Sequence, residues 1–224
     1  MSVMEAVVFD MDGTLTDTEA TWDVVRRSLA VEDGAGWPEG ATQAMMGMST
    51  QEWSAYLVEV VGLRGTAQEA ARRTIEGLQE IYRTELKVLP GAPEAVARMG
   101  SRWKLGLASS SPRVLIDQAA ATMGVADRFA TTMSTEELPD GAGKPAPDVY
   151  LEVCHRLGVE PHRAVAIEDA PNGIRAAHAA GMKVVAIPPH FHPPTPEVLA
   201  LADVVIDSLD ELTIDLVVAL LRES

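Results

Sequence analysis

The chain has 224 residues, 47% of them hydrophobic and 23% charged, enough to bury a full α/β core and still carry a smaller second module. A formal net charge of −15, with no run of Lys or Arg, argues against a nucleic-acid or anionic-membrane partner, since both need basic patches. The single cysteine, Cys154, excludes a disulfide framework and is read as a buried structural thiol in a reducing compartment.

In chain order, residues 6–9 (AVVF) form a short run dominated by Val and Phe, read as a buried strand. Between Thr18 and Lys87 no strand pattern occurs. Apolar residues there recur at helical spacing, as in Trp53, Tyr56, Leu57 and Val60, or Ala71, Ile75, Leu78 and Tyr82. Ser49 with Glu52 and Thr66 with Glu69 each fit the S/T-x-x-E capping box, which marks two helix starts. The chain is expected to re-enter the sheet near VLPGAP (88–93), where Pro93 opens a helix ending at Gly100. Strand runs at 105–108, 129–134, 164–167, 183–187 and 204–206 then alternate with amphipathic stretches, the signature of a parallel sheet covered by helices. An α/β fold is expected, its sheet domain made of 1–17 and 88–224 and interrupted by an all-helical unit over 18–87. The proline-rich stretch 188–196 reads as a surface loop, because His190 and His192 have no cysteine or carboxylate spaced to complete a metal site.

Chemistry concentrates where these strands end. In VVFDMDGTLTDTE (7–19) the first strand ends at Asp10, Asp12 follows, and Gly13-Thr14 forces a turn. LASSS (107–111) places Ser109 and Ser110 just before Pro112, where the positive first turn of a helix would face an anion. GKPAPD (143–148) holds Lys144 in a loop locked by two prolines. VAIEDAPNG (165–173) ends a strand on Glu168 and Asp169, an arrangement that is costly unless a cation lies between them. Each segment alone has an ordinary reading as turn formers, a helix cap or a solvated lysine. Together they meet on the carboxyl edge of one parallel sheet, where α/β proteins place their ligands. Asp10 and Asp169, aided by Glu168, offer the hard oxygen ligands that Mg²⁺ prefers.

With these four segments in order, the whole chain resembles the haloacid dehalogenase (HAD) superfamily, in its β-phosphoglucomutase-like and sugar-phosphatase branch. The family pattern hhhDxDGT matches Asp10-Met11-Asp12-Gly13-Thr14, its strand-end Ser or Thr matches Ser109, its loop lysine matches Lys144, and its acidic pair matches Glu168-Asp169. The resemblance implies a Rossmann-like parallel-sheet core with an inserted all-helical cap domain. It also implies that Asp10 attacks phosphorus to form an aspartyl-phosphate, while Asp12 protonates the leaving oxygen and then activates water. Lys144, Ser109 and the Ser110 amide would hold the phosphoryl oxygens, and Mg²⁺ would be bound by Asp10, Glu168, Asp169 and the main-chain carbonyl of Asp12. Arg113, just beyond the serine loop, is a weaker candidate for phosphate contact.

Individual positions choose the reaction within such a superfamily. Its dehalogenases lack the second aspartate, present here as Asp12. Its phosphonatases need a cap lysine, whereas the lysines here are Lys87, Lys104, Lys144 and Lys183. Its β-phosphoglucomutases carry a histidine soon after the first motif and an arginine on the cap's substrate loop, and the matching positions are Trp22 and, within GMST (47–50), Thr50. Arg64, Arg72 and Arg73 remain as substitutes for those cations. Hydrolysis of a small phosphorylated metabolite, first a sugar monophosphate, is therefore expected, with a phosphosugar mutase as the alternative. Glu19, Trp22, Met48, Thr50 and Arg64 are the candidates for touching substrate. A phospho-accepting receiver module is disfavoured because it puts its acceptor on a later strand and has no cap. A dinucleotide module would need G-x-G-x-x-G after the first strand. With no charged leader and no apolar stretch of spanning length, the expected protein is soluble and cytoplasmic, a monomer or weak homodimer.

Overall fold

The computed structural model describes residues 4–45, 48–139, 143–189 and 193–220, so His190, His192 and Gly47 of the segments singled out above lie outside the described residues. Six strands form one all-parallel sheet in the order β3-β2-β1-β4-β5-β6. They are β1 (Ala6–Phe9), β2 (Lys104–Ser109), β3 (Thr131–Ser134), β4 (Ala164–Glu168), β5 (Lys183–Ala186) and β6 (Val204–Val205). Helices α1 (Glu19–Asp33), α2 (Ala41–Met45), α3 (Thr50–Tyr56) and α4 (Ala67–Glu85) are inserted between β1 and β2. Then follow α5 (Ala92–Gly100), α6 (Arg113–Thr122), α7 (Asp148–Leu157), α8 (Pro171–Ala179), α9 (Pro196–Leu199) and α10 (Ile214–Ala219). Among the described residues no helix is long and apolar enough to cross a membrane.

Both faces of the sheet are covered, which is why its strands read as continuous apolar runs. Val7, Phe9, Leu105, Leu107, Val165 and Ile167 pack on one side with side chains from α5 and α6, such as Val96, Met99 and Leu115. Ala6, Val8, Ala164, Ala166 and Val184 pack on the other with Val149, Val153, Ile174 and Ala177 of α7 and α8. The inserted helices share the first of these cores, where Leu78 and Tyr82 of α4 join Phe9, Met11 and Leu15. Cys154 sits in the second core as a free thiol. Burial, with Glu160 nearby, pushes it up to about 11, so it is an unreactive thiol at neutral pH.

Both capping boxes form, with Ser49 and Glu52 starting α3 and Thr66 and Glu69 starting α4. Pro93 lies in the first turn of α5, which ends at Gly100 as expected. The apolar stripes shift in two places. A π turn, Leu57–Val61, continues α3 and advances the face by one residue, so Val61 is buried at 5% exposure while Val60 is 52% exposed. On α4 the buried stripe is Ala70, Thr74, Leu78 and Tyr82 rather than one through Ala71 and Ile75. The polar member of that stripe is satisfied internally, the Thr74 hydroxyl donating to the Ala70 carbonyl at 2.8 Å.

Candidate active site

The strand order runs outward in both directions from the β1–β4 junction, and ligands of open α/β sheets bind at such reversal points. Phe9 is in register with Leu107 of β2 and Ile167 of β4, so Asp10, Ser109, Glu168 and Asp169 emerge side by side at the carboxyl edge. Asp10, Glu168 and Asp169 are all buried, and each offers a carboxylate oxygen within 4.8 Å of the others. Lys144 enters this group from its loop. Its Nζ donates to Asp10 Oδ1 at 2.5 Å, to Glu168 Oε1 at 2.6 Å and to the Ala108 carbonyl at 3.0 Å, which uses all three donors.

Further partners fix each carboxylate. The Tyr150 hydroxyl of α7 donates to Glu168 Oε1 at 2.6 Å, and the amides of Asp169 and Ala170 donate to Oε2 at 3.1 and 3.3 Å. The Thr14 hydroxyl donates to Asp169 Oδ1 at 3.2 Å. Two glycines make room for these groups. A Cβ on Gly13, whose φ is +88°, would lie 2.1 Å from Asp169 Oδ2, and one on Gly173, in the first turn of α8, would lie 1.8 Å from Glu168 Oε1.

Burial pushes the Asp10 carboxyl well above the usual aspartate range; Lys144 opposes this and Glu168 adds to it. Asp169 is also raised, by burial and then by the charges of Asp10 and Glu168. For Lys144 burial acts downward, but Asp10 and Glu168 outweigh it and lift the ammonium above its ordinary range. One ammonium facing three buried carboxylates leaves an excess of negative charge. A hard divalent cation with oxygen ligands is the group that such a donor set fits.

Asp12 is turned elsewhere. Its Oδ1 accepts from the Thr18 hydroxyl at 2.5 Å and the Tyr82 hydroxyl at 3.4 Å, and its Oδ2 accepts from Ser111 at 2.6 Å and Ser109 at 3.4 Å. It contributes no side-chain oxygen to the three-carboxylate group. Instead it links the serine loop to α4 of the inserted helices, with Tyr82 reaching across from a fully buried position.

A cavity of about 540 Å³ opens between the sheet edge and the inserted helices, a size that suits a small metabolite. Asp10, Asp12, Ser109, Ser110, Lys144, Glu168 and Asp169 all line it. On the helical side it is lined by Glu19, Trp22 and Met48, as expected, and also by Arg26 and Trp53. Thr50 and Arg64 are not part of this lining. Nor are the other cations weighed from the sequence: Arg72 pairs with Glu76 at 2.8 Å, and Arg73 with Asp33 at 2.8 Å. Arg113, expected as a weaker phosphate contact, is held outside the cavity by Asp117 at 3.0 Å and by Glu137.

The cation on the helical wall is thus Arg26, which in the sequence is one of two adjacent arginines on a helix with a solvated face and carries no signal of its own. Tyr150, Ser111, Thr18 and Tyr82 were likewise not singled out by sequence. Tyr82 carried a signal only as part of an apolar stripe, and nothing in the spacing of Tyr150 separates it from an ordinary core aromatic.

The family model described as haloacid dehalogenase-like hydrolase matches residues 4–181. Hexitol phosphatase B of Escherichia coli (strain K12) is 33% identical to the chain over 93% of its length and 94% of that protein's. The phosphorylated carbohydrates phosphatase of Thermotoga maritima is 32% identical over 80% of this chain and 83% of its own. Among solved structures, β-phosphoglucomutase from Clostridium difficile superposes with a TM-score of 0.80 at 25% identity, covering 99% of this chain and 98% of that one.

Proposed function

Given that the chain belongs to the haloacid dehalogenase-like hydrolases, we propose that it is a Mg²⁺-dependent phosphatase that hydrolyses a phosphorylated sugar or sugar alcohol through an aspartyl-phosphate on Asp10. The observation that carries this reading is the buried group of Asp10, Glu168 and Asp169 with Lys144 bonded into it. Asp10 is the nucleophile, oriented by the Lys144 ammonium. As the phosphoryl group arrives, Lys144, Ser109 and the Ser110 amide take its equatorial oxygens. Asp12, held by Thr18 and Ser111 on the wall of the cavity, protonates the leaving oxygen and afterwards deprotonates the attacking water. Mg²⁺ bound by Asp10, Glu168, Asp169 and the Asp12 main-chain carbonyl would neutralise charge on the phosphoryl group. The segment 18–87 serves as a cap over the catalytic core of 1–17 and 88–224, and excludes bulk water from the edge of the sheet.

Water is preferred to a second sugar hydroxyl as acceptor because the positions matching the mutase histidine and arginine hold Trp22 and Thr50. The relatives at 33% and 32% identity are also named for phosphatase activity, against 29% and 25% for solved structures named as β-phosphoglucomutases, the first of them provisionally. The test is release of inorganic phosphate from a panel of sugar and sugar-alcohol monophosphates with Mg²⁺. No release from any of them would overturn the reading.

The raised carboxyls of Asp10 and Asp169 also make cation binding depend on pH. The native state keeps protons that the unfolded chain has already released, so the stability these groups contribute is full below the ordinary aspartate range. It is lost as pH rises through their raised values. A divalent cation binds the ionised forms and displaces the protons. The rise in Tm caused by Mg²⁺ is therefore expected to be larger at about pH 8 than at about pH 5, measured by thermal melts with and without the ion. A Tm increment that shrinks as pH rises would contradict this account of the site.

A further inference from the structure

Building on the hydrolase reading, we propose that Trp22, Arg26 and Trp53 form a subsite for the end of the substrate remote from its phosphate. There the Arg26 guanidinium holds a pair of acceptor oxygens, either vicinal hydroxyls of a sugar alcohol or the carboxylate of a sugar acid. All three side chains line the same cavity as Asp10 and Lys144, from its helical side. The guanidinium carbon of Arg26 stands 4.6 Å from the Trp22 ring centroid and 4.9 Å from that of Trp53. The two rings meet edge to face, 5.7 Å apart at 75°.

Arg26 is only 8% exposed, and its Nε is buried without a hydrogen-bond partner. The neighbouring Asp23 does not supply one, because its carboxylate is taken by Arg27 and by the Thr42 hydroxyl. Burial lowers the guanidinium to about 10, with Asp23 acting in the opposite sense, so the group is a cation at neutral pH. Aromatic faces stabilise its charge, but they offer no acceptor to its Nε, which stays unpaired. A buried charged donor left without an acceptor is costly. A planar fork of N–H groups on a ligand cavity is matched by two oxygens on adjacent or common carbon. A substrate carrying phosphate at one end and such an oxygen pair at the other would satisfy both sides of the cavity at once. The rings would meanwhile cover its carbon chain.

The experiment compares kcat/KM for a hexitol phosphate, a gluconate phosphate and phenyl phosphate, which has no remote oxygens, in the unmodified enzyme and in Arg26→Met and Arg26→Lys. Arg26→Met is expected to lower the ratio of the preferred sugar ester to phenyl phosphate by roughly tenfold to a hundredfold, carried by KM rather than kcat. Arg26→Lys keeps the stem and the charge between the rings but loses the fork, and is expected to lower the same ratio by about tenfold. That second variant decides the question if Arg26→Met does not fold. A larger drop on the hexitol ester assigns the subsite to hydroxyls, and a larger drop on the gluconate ester to a carboxylate. An unchanged ratio in the folded variants, or equal losses on all three esters, would overturn the subsite while leaving the hydrolase reading intact. Failure of the unmodified enzyme to release phosphate from any ester would overturn that reading and the subsite with it.

Discussion

Asp10→Asn is expected to reduce kcat by about 10⁴-fold or more, to background, while the protein stays folded. The amide keeps the shape of a side chain that is 6% exposed at the end of β1, and its oxygen can still accept from Lys144. What it loses is the nucleophilic charge. It also removes one of three buried carboxylates whose charges work against one another, so Tm is expected to stay level or rise. Phosphate release and a thermal melt on the purified variant check both halves. Folded Asp10→Asn protein with unmodified turnover would place the nucleophile elsewhere.

Removing divalent cations with a chelator is expected to abolish turnover, and adding back Mg²⁺ to restore it. Without a cation, an incoming phosphate meets Asp10, Glu168 and Asp169 with only Lys144 set against them, and the three Lys144 donors are already engaged. At an effective dielectric constant of about 20, each uncompensated charge about 4 Å from the phosphate costs roughly 4 kcal/mol, on the order of a thousandfold in rate. Loss of one phosphate contact that leaves the charges of the group unchanged, as in Ser109→Ala, is expected to cost less, about 10²–10³ in rate. Full turnover in excess chelator would sink the metal-dependent mechanism.

Much of the sheet and its edge could be read in advance because the relevant signals are local. AVVF, the Pro93 helix start and the two capping boxes each depend on a few adjacent residues, and each formed where its spacing placed it. The carboxyl edge was legible for a related reason: in a parallel sheet every strand ends at the same side, so Asp10, Ser109 and Glu168-Asp169 had to meet. Features set by tertiary contacts were not legible. The π turn after α3 moved burial from Val60 to Val61, and no period-counting rule anticipates an inserted residue. Arg26 lies between Trp22, one turn earlier on α1, and Trp53 of α3, and the contact with Trp53 is one that no spacing within α1 encodes. Arg113 followed the serine loop in sequence, yet the acidic residues Asp117 and Glu137 took its guanidinium away from the cavity. The Asp12 side chain, adjacent in sequence to the metal-binding pattern, is oriented by Thr18, Ser111 and Tyr82, of which Ser111 and Tyr82 lie far along the chain.

The central claim is that the phosphoryl group taken up by Asp10 passes to water. β-Glucose phosphate incubated with enzyme, Mg²⁺ and a sugar bisphosphate primer, followed by separation of the products, tests it most directly, because a phosphatase and a mutase share every step up to the aspartyl-phosphate. The account predicts free inorganic phosphate and no accumulation of an isomeric sugar phosphate. Stoichiometric conversion to the isomer without free phosphate would contradict it and make the enzyme a mutase.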